Sequence, residues 1–183
     1  MAAQADSKKT AVIAALNKGR SSELAAILQY MSQHYELADK DYGQIAADMK
    51  LIAIDEMRHA EMLAERVLLL NGKPTSKPDM EIKKGQSVAE VMAQGVGLEE
   101  TAIRDYNASL HLCQNNHDYV SAKIFEQLIA EEQVHLEHFQ DISDHIKELG
   151  AAYLATIVGG PTEGGPPARG FIAAKGGGGA APA

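Results

Sequence analysis

The chain has 183 residues, of which 45 % are hydrophobic and 5 % aromatic, and its formal net charge is −8. This length and apolar content suit one domain with a sizeable core, while the acidic balance without a basic run argues against a nucleic-acid partner. The single cysteine, Cys113, excludes an intrachain disulfide and a four-cysteine metal module and is typical of a reducing, cytoplasmic compartment. No stretch approaches the roughly 20 apolar residues of a membrane span.

The first two predicted helices occupy the N-terminal third of the chain. Ala, Leu, Ile, Glu, Lys and Gln dominate the first 150 residues, which favours an all-α fold. The first helix is predicted to begin after Asp6 or Ser7 and to run to about residue 35. The second is predicted over about residues 42–70, where Asn71 and the glycine after it end the helix.

A long connection separates these helices from two more. The stretch 72–86 contains two prolines and lacks helical periodicity, so it is predicted to be a crossover that runs the length of a helix. Ser87 and Glu90 have capping-box spacing and predict a third helix to about residue 115. Asp118 is predicted to cap a fourth helix that ends near residue 150. Four helices with one long crossover form a four-helix bundle.

The end of the chain changes character. Residues 151–158 are predicted to form a short fifth helix, which completes a domain over 1–158. Residues 159–183 contain nine Gly and four Pro in 25 positions. Such a composition cannot offset the entropy of ordering by burial, so this Gly/Pro-rich segment is predicted to be a flexible tail. Its one apolar spot, Phe171 and Ile172, is a candidate docking point.

One pattern of charged residues occurs twice, 76 residues apart. Each copy has a Glu, a Tyr seven residues later, and an E-x-x-H pair whose Glu follows the first Glu by 33 positions. The members are Glu23, Tyr30, Glu56 and His59, then Glu99, Tyr106, Glu132 and His135. Chance alone gives about 0.6 E-x-x-H pairs in a chain of this composition, so the matched spacing is the informative part.

The Glu and His members of this pattern interrupt apolar stripes on the predicted helices. An ionised carboxylate taken from water loses several kcal/mol of solvation, and four such groups together repel one another. No Lys or Arg lies on the stripes beside them. Two divalent cations would neutralise four carboxylates and accept two neutral imidazoles, so the sequence predicts a two-iron site. Manganese suits the same ligands, and a metal-free structural bundle is the third alternative.

The other polar residues receive simpler interpretations. Tyr30 and Tyr106 are within reach of the opposite Glu and are predicted to donate hydrogen bonds to ligand carboxylates, with core packing equally open. Glutamates flanking the stripes are predicted to be ordinary surface charges or members of a salt-bridged polar layer: Glu61, Glu65, Glu100, Glu131 and Glu137. The histidines without a matched partner are predicted to be surface or interface residues: His34, His111, His117, His138 and His145.

These motifs resemble those of the bacterioferritins over about residues 17–150, and the stretch LIAIDEMRHAE, residues 51–61, is similar to that family's second-helix signature. The resemblance implies a ferritin-like bundle that oxidises Fe(II) with dioxygen or peroxide and stores ferric mineral in a hollow shell of twenty-four subunits. It also implies that Glu56 and Glu132 bridge the two irons. The terminal ligands would be Glu23 with His59 and Glu99 with His135.

A methionine next to the second-helix motif suggests a further cofactor. Met57 points about 100° away from Glu56 around the helix, outside the core stripe. Small residues at matching spacing surround it: Ala46, Ala53, Ala60 and Ala64. Periodicity alone leaves a haem ligand and a dimer-contact or gap-filling methionine equally open. The resemblance implies that Met57 from each of two subunits binds one haem, and that a ferredoxin or rubredoxin-type protein donates electrons.

Two features set limits to the resemblance. Some bacterioferritins carry a cavity-lining His where this chain has Leu51, which argues against an inner-surface iron site of that type. A rubrerythrin-like peroxidase or oxidase without storage is the alternative function. Rubrerythrins usually append a four-cysteine module, which a single cysteine excludes here.

Overall fold

The computed structural model of the chain describes residues 2–161 and 170–175, and within these ranges the regular structure is helical throughout. The helices are α1 Ala2–Asp39, α2 Gly43–Leu69, α3 Val88–Asn115, α4 Tyr119–Leu149, α5 Ala151–Ile157 and α6 Phe171–Ala174. α1 packs along α2, and α3 along α4, so two helix hairpins form the bundle. The predicted all-α four-helix bundle is confirmed. None of the helices described is long and apolar enough to cross a membrane.

Most helix ends follow the predicted capping residues. Ser87 Oγ accepts from the Glu90 N–H while the Glu90 side chain accepts from the Ser87 N–H, which is the complete capping box of α3. The Asp118 side chain accepts from the Ser121 N–H at 3.0 Å at the start of α4. The predicted start of the first helix is wrong, because α1 already begins at Ala2. The preceding residues are mostly Ala and Gln, which continue a helix at little cost.

The crossover between α2 and α3 is tied to α1 by paired amide contacts. The Asn17 side chain donates to the Lys73 carbonyl at 3.0 Å and accepts from the Thr75 N–H at 2.8 Å. Gln29 does the same with both backbone groups of Lys83, at 2.9 and 2.8 Å. Side-chain amides thus satisfy backbone groups that lie outside any regular structure. The crossover thereby follows the surface of α1.

A polar layer divides the core into two hydrophobic clusters. On α1, Glu23 separates Leu16, which belongs to one cluster, from Tyr30, which belongs to the other. On α4, Glu132 separates Leu128 from Phe139 in the same way. The two clusters are the main apolar burial of the bundle and hold the four helices at fixed positions around the layer.

A pair of glycines belongs to the repeat although the sequence analysis did not identify it. Gly19 and Gly95 each lie four residues before the first Glu of a copy. A Cβ on Gly95 would lie 2.6 Å from the Phe139 ring, and one on Gly19 would lie 3.2 Å from the Tyr106 ring. Each glycine therefore lets an aromatic ring contact the helix backbone beside the polar layer.

The predicted flexible tail, 159–183, falls largely on residues 162–169 and 176–183, which lie outside the described residues. The described part between them is helical and packed. Phe171 is only 2 % exposed, and α6 lies against α2. The apolar pair that predicted a docking point therefore docks on the bundle of its own chain.

Candidate metal centre

The six predicted ligands converge in the polar layer between α1, α2, α3 and α4, and none is more than 2 % exposed. They form two groups of four, in which one ligand atom per residue lies within 4.8 Å of the other three. The groups are Glu23, Glu56, His59 and Glu132, and Glu56, Glu99, Glu132 and His135. The two groups share two carboxylates. This geometry suits two neighbouring cations with a pair of carboxylates between them.

The outer nitrogen of each imidazole faces a carboxylate. His59 Nε2 lies 2.9 Å from Glu131 Oε2, and His135 Nε2 lies 3.5 Å from Asp55 Oδ2. An ionised carboxylate only accepts hydrogen bonds, so it favours the tautomer with the proton on Nε2. In that tautomer Nδ1 presents a lone pair to the interior of the bundle. An imidazole held in this way is oriented to bind a metal through Nδ1.

The inner nitrogens cannot satisfy the carboxylates that surround them. His59 Nδ1 lies 2.9 Å from Glu56 Oε2 and 3.2 Å from Glu132 Oε1. His135 Nδ1 lies 3.0 Å from Glu132 Oε2 and 3.3 Å from Glu56 Oε1. Each Nδ1 carries at most one proton, and within the described residues Glu56 Oε1 and Glu132 Oε1 are buried without a hydrogen-bond partner. Buried polar atoms of this kind call for a partner, and cations between the two shared carboxylates would provide it.

Burial and mutual repulsion control the protonation of the centre. Burial, with added repulsion from the two shared carboxylates, raises the pKa of Glu23 and Glu99. Burial alone would lower the pKa of both imidazoles. The facing Glu132 nevertheless raises the pKa of His59, and Glu56 does the same for His135. Without metal, protons therefore supply part of the positive charge that the carboxylates need, and binding of cations releases them.

The two tyrosines of the repeat connect the helix hairpins across the centre. Tyr30 on α1 donates to Glu99 Oε1 on α3, and Tyr106 on α3 donates to Glu23 Oε1 on α1. Both phenols are buried, and each ring packs on a phenylalanine with centroids 5.6 Å apart. The hydrogen-bonding and core-packing interpretations of these tyrosines are therefore both met by the geometry. Each tyrosine orients a carboxylate that belongs to the other hairpin.

Two acidic residues at the centre escaped the sequence analysis. The prediction that Glu131 is an ordinary surface charge is wrong, because its carboxylate binds His59 and its side chain is only 28 % exposed. Asp55 was not singled out, yet it is buried and faces His135. Each stands immediately before a shared Glu, so the motif in both copies is an acid followed by E-x-x-H. The repeated acid was a usable signal.

One histidine assignment also needs correction. His34 was predicted at a surface or an interface, but it is buried within the chain, and its Nδ1 lies 2.7 Å from the Ala46 carbonyl oxygen. The His34 imidazole thus satisfies a backbone carbonyl at a helix contact rather than serving as a ligand.

Met57 belongs to α2. It lies on the outer face that α1 and α2 form and is 56 % exposed. It borders an open cavity of about 370 Å³ whose other lining residues are Arg20, Leu24, Ile27, Ala60, Glu61 and Ala64. Of the four alanines predicted to surround Met57, Ala60 and Ala64 line this cavity, whereas Ala46 and Ala53 are not among its lining residues. Ala46 and Ala53 belong to the buried core, at 0 % and 3 % exposure. The small residues beside the thioether are therefore fewer than the periodicity predicts.

Comparison with known proteins identifies the family. A sequence model of the ferritin-like domain matches residues 13–149. The bacterioferritin of Desulfovibrio desulfuricans is 47 % identical over 174 residues, covering 95 % of this chain and 97 % of the relative. The bacterioferritin of Streptomyces coelicolor is 36 % identical over 149 residues, covering 80 % of this chain and 89 % of the relative.

Solved structures agree. A crystal structure of the Desulfovibrio desulfuricans bacterioferritin, which describes that protein's diiron site in different catalytic states, superposes with a TM-score of 0.87 at 46 % identity and covers 92 % of this chain and 98 % of that one. Mycobacterium tuberculosis bacterioferritin BfrA superposes with a TM-score of 0.77 at 28 % identity, covering 80 % of this chain and 93 % of that one. The fold and the sequence together show that this chain belongs to the bacterioferritins, within the ferritin-like family.

Proposed function

We propose that this protein is an iron-storage ferroxidase that oxidises Fe(II) at the six-residue centre and stores the ferric product in a hollow homo-oligomeric shell. Membership of the bacterioferritins supports iron storage and ferroxidase activity in general. The observation that carries the site assignment is the pair of buried oxygens, Glu56 Oε1 and Glu132 Oε1, without a hydrogen-bond partner in the described residues. They belong to the two carboxylates that the ligand groups share.

The two groups support a role for each ligand. Glu56 and Glu132 would bridge the two ferrous substrate ions, while Glu23 with His59, and likewise Glu99 with His135, would complete one position each. Carboxylates are hard oxygen donors that change between chelating and bridging modes as iron changes charge. Two ferrous ions supply the electrons that dioxygen or peroxide accepts. The protein orients both imidazoles. It also releases the protons that Glu23 and Glu99 hold because their pKa values are raised.

A haem is the second group that the chain's residues suit. Met57 offers an exposed thioether beside a cavity of about 370 Å³ that apolar and small side chains border. We propose that Met57, together with Met57 of a second subunit, would hold one haem. When bound, the haem would supply one-electron chemistry for iron release, with a ferredoxin or rubredoxin-type protein as the electron donor. A methionine thioether is among the side-chain groups that bind haem iron in proteins.

The storage function requires assembly, and we propose a shell of twenty-four subunits. Large apolar side chains are exposed on the single chain: Leu28, Tyr35, Leu68, Leu69, Tyr119 and Val120. We propose that these side chains contribute to the contacts between subunits.

The rival function is a rubrerythrin-like peroxidase or oxidase, which would use the same centre without storage. Particle mass and iron capacity separate the two. We expect size-exclusion chromatography with light scattering to give a particle many times the 19.6 kDa chain, and anaerobic titration to give two tightly bound Fe(II) per chain. Aerobic loading should then take up far more iron than the six ligands can hold. A monomer or dimer that binds two irons and no more would favour the peroxidase.

A further inference from the structure

An aromatic ring from the tail covers one ligand of the metal centre. Phe171 is 2 % exposed and meets His135 edge-on, with ring centroids 6.0 Å apart. The centroid of the same ring also lies 4.5 Å from that of the His138 ring. The segment 170–175, here called the docked segment, thus places its largest apolar side chain against α4.

The backbone of the docked segment contacts the carboxylate that faces His135. The Ile172 N–H donates to Asp55 Oδ2 at 2.9 Å, and the same oxygen lies 3.5 Å from His135 Nε2. Gly170 approaches so closely that a Cβ there would lie 1.7 Å from Asp55 Oδ1. Only glycine fits at this position. Asp55 is therefore held between the tail and the ligand imidazole.

The end of the docked segment has a weaker anchor. Lys175 Nζ lies 4.0 Å from Asp48 Oδ1 and 5.3 Å from the centre of the Phe171 ring. The Lys175 side chain is about half exposed, so this pair contributes little to the docking free energy. The burial of Phe171 and the Ile172 hydrogen bond are the main attachments.

Among the described residues, none covers the other half of the centre in this way. Glu131, the carboxylate that faces His59, has a side chain 28 % exposed, whereas that of Asp55 is 3 % exposed. The other carboxylate oxygen of Glu131 accepts a hydrogen bond from the Gln127 side chain at the surface. The two halves have the same ligands but different access to water.

We propose that the docked segment is a positioning element that makes the two metal positions inequivalent, with metal at the His135 position shielded and slow to leave. The proposal rests on the proposed function only in taking the six residues as metal ligands. Carboxylates that face a ligand imidazole orient it, and their loss typically weakens metal binding. Release of metal on the covered side also requires the segment to undock first.

Cobalt(II) is a suitable probe because it binds the same donor types and absorbs visible light. The assembled full-length protein is loaded with Co(II) under anaerobic conditions and mixed with excess EDTA, and the decay of the Co(II) absorbance is followed. We expect two phases of equal amplitude, the slower about tenfold slower than the faster. In Gly170→Ala, the new methyl collides with Asp55, and the slow phase should accelerate to the rate of the fast one.

The matched control is Gly97→Ala, which adds the same methyl where a Cβ would meet nothing within 4 Å. It should keep both phases. Phe171→Ala, which removes the covering ring, should behave like Gly170→Ala.

Hydrogen exchange with mass spectrometry on the metal-free protein reports docking directly. The peptide containing Ile172 should be protected in the native chain and exchange fast in Gly170→Ala. An unprotected native peptide would overturn the proposal, as would two unchanged release phases in a variant whose peptide has lost protection. If the native chain binds fewer than two Co(II) per subunit, the proposed function itself fails. The protection of the Ile172 peptide distinguishes that failure from a tail that never docks.

Discussion

The two halves of the metal centre come from one sequence pattern and still differ in their surroundings. The first half holds Glu23 and His59, and the second holds Glu99 and His135. The spacing of residues along each helix hairpin places the ligands, so the two copies of the pattern supply the same ligand types. The cover comes from an element outside the repeat, since within the described residues it is the docked segment, 170–175, that contacts the second half. Ligand identity and ligand environment are thus encoded in separate parts of the chain.

The strongest test of the shared part of the centre is to remove a carboxylate that both halves use. Glu56→Ala or Glu132→Ala should reduce the initial rate of Fe(II) oxidation by more than about 100-fold, because loss of a shared ligand exceeds the usual effect of an outer-shell change. Stopped-flow absorbance of the ferric product measures this rate. The control is Glu137→Ala, which replaces an exposed glutamate on the helix that carries Glu132. This variant should retain the native rate. Native rates in either shared-ligand variant would contradict the bridging roles.

The haem assignment separates the two copies further, because Met57 has Gln133 as its counterpart in the second copy. Met57→Leu keeps the volume of the side chain and removes the sulfur, so the Soret band of the purified protein should disappear while Fe(II) oxidation stays near the native rate. Gln133→Leu should leave the haem spectrum unchanged. Retention of haem in Met57→Leu would refute the assignment and leave the methionine as a subunit contact.

A change of pH should affect both halves in the same direction when metal is removed. The folded-state pKa values of His59 and His135 are raised, so the stability that their protonation gives is present below about 6.5 and is lost as pH rises through the folded values. The pKa values of Glu23 and Glu99 are also raised, so these carboxyls begin to destabilise the fold as pH rises above 4.5, the ordinary pKa of a Glu side chain. The thermal midpoint of the metal-free protein should therefore fall from pH 6 to pH 9, by about 2–4 °C for each kcal/mol lost.

Zinc(II) offers the control for this pH dependence, because bound cations replace the protons. Scanning calorimetry of the zinc-loaded protein should show a much flatter profile over the same range. A midpoint that rises with pH in the metal-free protein would mean that the buried carboxyls are ionised and stabilised by other groups.

The smallest expected effect compares the paired glycines. Gly95→Ala forces a methyl into the buried Phe139 ring and should destabilise the fold by about 1–3 kcal/mol. Gly19→Ala meets the Tyr106 ring at 3.2 Å and should be close to neutral, since a helix propensity gain of about 1 kcal/mol offsets the contact. Chemical denaturation measures both. Gly97→Ala, which meets nothing within 4 Å, should stabilise the chain, and equal effects at Gly19 and Gly95 would show that the two halves pack alike.

The sequence predicts those parts of the molecule that depend on local signals. Capping residues such as Ser87 and Asp118 act within one helical turn, and a spacing of three residues on a helix places Glu56 beside His59. The extension of α1 to Ala2 was missed because a polar capping residue is only one of several ways to start a helix.

The unpredicted contacts join residues that are far apart in sequence. Asp55 and Ile172 are separated by 117 positions, and His59 and Glu131 by 72. The acid repeated before each E-x-x-H pair marks Asp55 and Glu131, but it does not report that each one faces the imidazole of the other copy. The composition of the tail does not reveal that Phe171 and the Ile172 N–H attach residues 170–175 to the bundle.

The crossed tyrosine contacts have a consequence for how the protein assembles. Tyr30 and Tyr106 each donate a hydrogen bond to a glutamate on the opposite hairpin. Neither hairpin alone therefore contains a complete set of oriented ligands. An isolated α1–α2 or α3–α4 fragment would present one loosely oriented Glu and one E-x-x-H pair, with affinity for metal far below that of the joined pair. Uptake of a metal probe during refolding would therefore time the meeting of the two hairpins rather than the formation of either one.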